Sequence, residues 1–343
     1  MKYAHEHGCP WDVNVTILAA TRGHRACLKY AHEQDCPWDE RTPAYAAKHG
    51  QLDCLKYAHE CGCVWDLFTV LCAVNHLDCL KYLHEQGCPQ SEIVACIAVL
   101  FERFDCLKYV HEQGCPWDAG TPAIAAGGGH LDYLKFVHER GCPWDERTPA
   151  AAASNGHFAC LEYAHANGCP WDVLTPAEAA RGGHLDCLKY AHECGCPWDA
   201  TMPATAGLCG HFACLKYAHE CSCPWDERTP VAAASNGHFA CLEYAHANGC
   251  PWDEGTPAAA AGGGHLACLE YAHANGCLWD VTTLAFAAGK GHFNCLEYAC
   301  TAGCPWNEII LLYAMFGGCL NCLLFALEQN NLRHLPVTPW LLV

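Results

Sequence analysis

Apolar and polar positions along the chain repeat one pattern. In residues 143–169, PWDERTPAAAASNGHFACLEYAHANGC, small apolar residues from Ala150 to Ala153 follow Thr148 and Pro149 and stop at Asn155 and Gly156. A second apolar stripe places Phe158, Leu161 and Ala164 at i, i+3 and i+6, widened by Cys160 and Tyr163, and ends at Gly168. The first run predicts a helix of about two turns. Alanine has the highest helix propensity, the Thr148 hydroxyl can cap a free N–H, and proline is tolerated at the first helical position. The second stripe predicts a helix from about Phe158 to Ala166, closed by a left-handed glycine. Isolated helices shorter than about 12–15 residues are marginal in water. Each of these must therefore bury its apolar side on a neighbour.

The neighbours are copies of the same unit. The cysteine that closes it falls at Cys9, Cys36, Cys63, Cys88, Cys115, Cys142, Cys169, Cys196, Cys223, Cys250, Cys277 and Cys304. The spacing is 27 residues throughout, except for 25 between Cys63 and Cys88. Eleven of the twelve tryptophans sit two residues after one of these cysteines, and only Trp340 lies outside the series. The chain therefore divides into a half repeat (1–9), eleven repeats (10–304), a degenerate last repeat (305–331) and a tail (332–343). Several second helices carry Asp near the start and Lys three residues on, as in Asp53/Lys56, Asp132/Lys135 and Asp186/Lys189. That order suits the helix dipole and adds a few tenths of a kcal/mol.

Thr-Pro, an alanine pair, Gly-His, a Leu-bearing second helix and a closing Gly together resemble the ankyrin repeat. The segment from Gly156 to Gly168 matches its second helix in spacing. The ankyrin unit has about 33 residues and a Thr-Pro-Leu-His start, whereas this one has 27 and Thr-Pro-Ala-Ala. Most of the deficit lies between Gly141 and Thr148, where CPWDER stands in the place of the family's hairpin finger. The resemblance covers about residues 1–331. It implies an all-α solenoid of about twelve helix-turn-helix repeats with shortened or absent β-hairpin fingers. It also implies a non-enzymatic scaffold that holds protein partners on its concave face, without a cofactor. The short CPWD form is similar to arrays of giant DNA viruses, some protists and brown algae, which implies an adaptor acting on host factors.

Composition narrows the partners. Apolar residues make up 52% of the chain and charged residues 16%, which excludes compositional disorder. The formal charge is −18, with 37 acidic against 19 basic residues and no Lys/Arg cluster, so a nucleic-acid partner is not expected. No apolar run approaches the roughly 20 residues of a membrane span. The start, MKYAHEHGC, lacks the apolar stretch of a secretory signal, so an intracellular, reducing compartment is expected.

The 31 cysteines raise two chemical alternatives. Most occupy two register positions, one after the closing Gly and one opening CLKY or CLEY, as at Cys54, Cys160 and Cys241. Equivalent residues on stacked helices lie roughly 8–10 Å apart, beyond the about 4.4–6.8 Å between Cα atoms of a disulfide. Cysteine at these sites reads as a small buried hydrophobe. Pairs such as His32/Cys36, His59/Cys63 and His165/Cys169, with Cys61, Cys194 and Cys221 nearby, raise a metal- or thiol-binding alternative. Zinc needs four ligands, and one repeat offers two, so no metal site is assigned. A histidine that recurs in every repeat reads as packing or capping, and no catalytic residue is assigned. A passive spacer is the remaining alternative.

Recognition residues should be those that vary between repeats. Between Trp-Asp and Thr-Pro the candidates are Glu40, Arg41, Glu146, Arg147, Val173, Leu174, Glu227, Arg228 and Glu254, with Leu67 and Phe68 at the corresponding place. Inside the first helix they are Tyr45, Ile124 and Glu178, with Thr205 and Val231 also varying. By the resemblance, these line the concave face. Residues 64–115 lose two residues, the Thr-Pro, one Trp and the Gly-His turn, and Ile93 to Phe104 reads as one continuous helix. The last repeat, EIILLYAMFGGCLNCLLFALEQ, is apolar enough for the tail to fold over it or for end-to-end association of an otherwise monomeric chain.

Overall fold

A computed structural model describes residues 2–89 and 91–329, Ala4 by its backbone only. The tail sequence lies outside the described residues. Every regular element among them is an α-helix, and the CPWD segments contain no strand. The all-α helix-turn-helix repeat architecture expected from the sequence is therefore present, with the fingers absent. The helices form two compact units, Met1–Thr148 and Pro149–Val343.

In the N-terminal unit the short helix Lys2–Glu6 precedes five pairs. These are Val13–Thr21 with Arg25–Glu33, Arg41–Lys48 with Leu52–Glu60, Leu67–Ala73 with Leu77–Glu85, Ile93–Leu100 with Phe104–Glu112, and Gly120–Gly127 with Leu131–Glu139. Helix Arg147–Ser154 spans the division and pairs in sequence with Phe158–Ala166. The C-terminal unit continues with Leu174–Gly182 and Leu185–Glu193, then further pairs up to Ile309–Gly317 and Leu320–Gln329. Within each unit a first helix packs on its own second helix and on the first helix of the next repeat.

The alanines explain that packing. Ala46, Ala47, Ala152, Ala153, Ala233 and Ala234 are fully buried, and small side chains let helix axes approach closely. Each second helix adds one leucine plug, such as Leu55, Leu107, Leu188 and Leu242, with no exposed surface. The second helix ends as expected on a left-handed glycine. Gly168 has φ 79°, its N–H donates to His165 O at 3.0 Å, and Cys169 N–H donates to Ala164 O at 2.9 Å. That pair of bonds satisfies the last carbonyls of the helix.

Two local expectations are corrected. Ile93 to Phe104 is not one helix: it breaks after Leu100, with Glu102 at φ 57° and Arg103 N–H donating to Ala98 O at 2.7 Å. Glu102 stands where most other repeats have a left-handed glycine, as at Gly129 and Gly156. The break turns the chain so that Leu107 reaches the core. The Thr of Thr-Pro is also not the cap. Thr175 and Thr229 are buried inside the first helical turn, where their hydroxyls find no oxygen partner and lie by the Cys196 and Cys250 sulfurs. The helix start is held by the aspartate of CPWD. Asp172 Oδ1 accepts from Leu174 N–H at 2.9 Å, and Asp226 Oδ1 accepts from Arg228 N–H at 3.1 Å. This is the bond to the residue two positions on that such an aspartate favours.

Candidate partner-binding surface

The joint between repeats is a set of mutual bonds. In most repeats the cysteine of CPWD lies under the preceding joint and its thiol donates to the carbonyl of that joint's aspartate; Cys115 donates to Ser91 O instead. Cys63 Sγ reaches Asp39 O at 3.2 Å, Cys196 reaches Asp172 O at 3.3 Å, and Cys277 reaches Asp253 O at 3.1 Å. Burial first, then the nearby aspartate, pushes the thiols of Cys63, Cys196 and Cys277 up to about 12. These are protonated, inert side chains.

The aromatic residues form a ladder. Each tryptophan from Trp11 to Trp279 stacks on the histidine six residues before it, as in His192–Trp198 with ring centroids 4.0 Å apart. The tyrosine of the next repeat stands edge-on to both and bonds the histidine: His192 Nδ1 lies 3.0 Å from Tyr217 Oη. The same bond joins His165 to Tyr190, His219 to Tyr244, His246 to Tyr271 and His273 to Tyr298. Of the imidazoles that suggested metal ligands, His59 and His165 are thus bonded to phenols, and His32 lies edge-on to Tyr57. Among the described residues, no three His, Cys, Asp or Glu side chains converge to hold a metal ion.

The other histidine, after Gly, lies against the glycine of the preceding repeat's turn, reaching across repeats and not between the two helices of its own. A Cβ on Gly156 would lie 2.4 Å from His184 Nδ1, and one on Gly183 would lie 2.5 Å from His211 Nδ1. These glycines are required twice, for φ near 74° and for the ring laid against them. Clefts also recur at the helix-joining turns. One of about 350 Å³ is lined by Asn75, Arg103 and Phe104, and smaller ones lie beside His184 and Gln51.

What varies from repeat to repeat lies on the outer side of the first helix and the turn before it. Glu40, Glu146, Glu227 and Glu254 are exposed, and their carboxylates make a row of acidic tips. Arg41, Arg147 and Arg228 are exposed too, but each folds back on its own aspartate, with Nη2–Oδ2 distances of 2.7, 2.8 and 2.8 Å. The arginine hydrogen bonds hold the carboxyls of Asp39, Asp145 and Asp226 below their ordinary range. Phe68 and Leu174 are 49% exposed, whereas Leu67 and Val173 are half-buried. Tyr45 and Ile124 are half-buried with outward surface. Glu178 is occupied between repeats, accepting from Ser154 Oγ at 3.0 Å and pairing with Arg181 at 3.1 Å. Val231 lies one position before the column of Tyr45 and Ile124 and belongs to a different face.

That column, seven residues after each tryptophan, continues in the N-terminal unit through residues the sequence reading missed. Leu18 is 54% exposed and Cys72 and Ile97 are half-buried, while Ile93 and Leu100 on the same helix are 45% and 59% exposed. Counting from the tryptophan would have found Leu18 and Cys72. Ile97 was hidden because its repeat has no tryptophan and its helix was read as running on to Phe104.

No protein-family model matches the chain, and no curated protein matches it. Among solved structures the chain is similar to the human ASB11 ankyrin repeat domain, with 18% identity, 55% of this chain and 85% of that chain covered, and a TM-score of 0.32. It is also similar to the pentatricopeptide repeat protein PPR10 in complex with an 18-nt psaJ RNA element. There the identity is 13%, 92% of this chain and 63% of that chain are covered, and the TM-score is 0.30. No described helix is long and apolar enough to cross a membrane.

Proposed function

We propose that this chain is a non-enzymatic scaffold that binds protein partners through the outer side of its first helices. The observation that carries this is the contrast between the invariant joint and the varied outer column. In the N-terminal unit the first helices expose Leu18 in that column, and Phe68, Ile93 and Leu100 a helical turn before or after it, above a core already filled by alanine and leucine. Side chains of this size are not needed to hold the first helices together, since alanine and threonine serve at the same column in Ala151 and Thr205. Exposed apolar groups clustered on one side are the ordinary mark of a contact surface. The acidic tips at Glu40 and Glu146 would rim such a contact and disfavour acidic partners.

The ankyrin-type assignment, the repeat boundaries, the intracellular setting and a viral role on host factors rest on the CPWD repeat's resemblance and belong to this proposal. A comparison of two triple variants tests the surface. Phe68→Ser, Ile93→Ser and Leu100→Ser together should abolish saturable binding of a partner captured by the wild-type chain. Lys56→Ala, Lys81→Ala and Lys108→Ala, on the second helices, should leave it intact. Equal binding by both triples would overturn the assignment, and circular dichroism of each confirms that the fold is retained.

A further inference from the structure

In the complete repeats the turn between the two helices ends in a histidine or a polar residue, and a cysteine of the second helix follows three residues later, with Tyr133 in its place in one repeat. The last repeat departs from this. Cys319 replaces the histidine, so that Gly317, Gly318, Cys319, Leu320, Asn321 and Cys322 make a C-x-x-C sequence across a helix start. Cys319 immediately precedes the helix Leu320–Gln329 and is partly exposed, whereas Cys322, in its first turn, has no exposed surface. Leu323 N–H donates to Cys319 O at 3.0 Å, which places Cys319 at the open end of the helix.

We propose that Cys319 and Cys322 form a thiol–disulfide exchange site that reacts with low-molecular-weight disulfides of the glutathione type. Residues three apart on a helix have Cβ atoms about 5–6 Å apart, and a disulfide needs about 3.5–4.5 Å, so closure requires a movement of roughly 1 Å. Gly317 and Gly318, the latter at φ 66°, stand directly before Cys319 and give the backbone that freedom. The two thiols have opposite characters. The backbone N–H of Cys322 and then its thiol donate to Cys319 Sγ, which holds the Cys319 thiol below its ordinary value. Burial, then the bond to Cys319, pushes Cys322 up to about 12. A partly exposed thiol at a helix start backed by a buried one is the arrangement of an attacking and a resolving pair. At the same register of the other described repeats, the position three before the second-helix cysteine holds a histidine, Gln51 or Arg103, none of which can form a disulfide.

The exchange proceeds in two steps. The Cys319 thiolate attacks one sulfur of oxidised glutathione, the glutathione S–S bond breaks, and one glutathione thiolate leaves and takes a proton from water. Cys322 then gives its proton to solvent and attacks the Cys319 sulfur, and the second glutathione thiolate leaves. The protein dithiol is oxidised by two electrons and one disulfide becomes two thiols.

Mass spectrometry of the full chain after brief exposure to oxidised glutathione tests this. The wild type should acquire a Cys319–Cys322 disulfide. Cys322→Ser, which keeps a hydrogen-bond donor, should instead accumulate glutathione on Cys319. Iodoacetamide at neutral pH should label Cys319 severalfold faster than the exposed Cys9 and Cys194. A wild-type chain that holds glutathione on Cys319 without resolving it would overturn the proposal. So would a Cys319 that reacts no faster than Cys9 and Cys194.

Discussion

The N-terminal and C-terminal units are built from the same repeat but differ in where its regularity breaks. In the C-terminal unit the ladder is unbroken from His165 to Tyr298, with each tryptophan stacked and each histidine bonded to the next tyrosine. In the N-terminal unit it is interrupted. His84 bonds Tyr109 but stacks on no tryptophan, and His111 meets Phe136 instead of a tyrosine, with its tryptophan at 5.0 Å instead of about 4 Å. The outer column differs in the opposite sense. It runs Leu18, Tyr45, Cys72, Ile97 and Ile124 in the first unit, and Ala151, Glu178, Thr205, Ala232 and Ala259 in most of the second. The second unit keeps the joint regular from His165 to Tyr298 and its column small or polar as far as Ala259, before Phe286 and Tyr313 stand 43% and 41% exposed, while the first relaxes the joint and carries apolar groups along most of its column. The core beneath is common to both, because the leucine plugs and alanine pairs are buried throughout. Regularity is thus a property of the joint, and the residues that vary lie on the outer side of the first helices.

The largest expected effect tests the claim of a common core. Thiols such as Cys54, Cys106, Cys160 and Cys241 are pushed up to about 11 by burial. Their folded values lie above those of the unfolded chain, so the stability they support is complete below about pH 8.5. As pH rises above that value, the unfolded chain releases protons that the folded chain retains. Each such thiol then costs up to about 1.4 kcal/mol per pH unit until its folded value is reached. With such thiols in nearly every repeat, circular dichroism should show both units unfolding between roughly pH 9 and 10. Hydrogen exchange that finds one unit intact after the other has melted would break the comparison. Replacing Cys160, Cys187 and Cys214 by alanine should move the transition to higher pH.

The next effect concerns the ladder. Trp198→Ala removes a half-buried indole packed between His192 and Tyr217 and should cost about 2–3 kcal/mol in urea unfolding, below the range for a fully buried tryptophan. Trp117→Ala, in the looser joint, should cost about 1 kcal/mol less. Equal losses would mean that stacking distance does not set the strength of the joint. The smallest change repairs the interruption. Phe136→Tyr puts a hydroxyl where His111 Nδ1 can meet it, as Tyr109 meets His84, and should stabilise the N-terminal unit by about 0.5–1 kcal/mol. The same measurement on Tyr190→Phe should show a loss of similar size.

Much of this was legible in the sequence because the repeat writes each helix many times. The alanine run, the stripe of the second helix, the closing glycine and the aspartate turn are local features, and local sequence patterns specify them. The Ile93–Phe104 region misled for a local reason. Without a glycine or a Thr-Pro, its apolar run carries no punctuation, and Glu102 adopts the left-handed conformation that a glycine usually marks. Thr148 misled because a hydroxyl before proline has the look of a cap, whereas in Thr175 and Thr229 the same residue is buried beside sulfur.

The sequence by itself determined the period, the two helices of each repeat, the absence of fingers and the small volume of the first helix. Those follow from propensity and apolar spacing over less than one repeat. Only the tertiary structure decided what the recurring polar atoms do. The Cys63 thiol finds Asp39 O 24 residues away, His192 finds Tyr217 25 residues away, and the ring of His184 lies over Gly156. Such partners are neighbours only after one repeat has stacked on the next, because a helix pair returns the chain to the same level about once per repeat. The fold-back of Arg228 on Asp226 was within local reach, yet it too depended on the aspartate being held at the helix start. It leaves Glu227 as the exposed charged tip of that turn outside the Arg228–Asp226 pair.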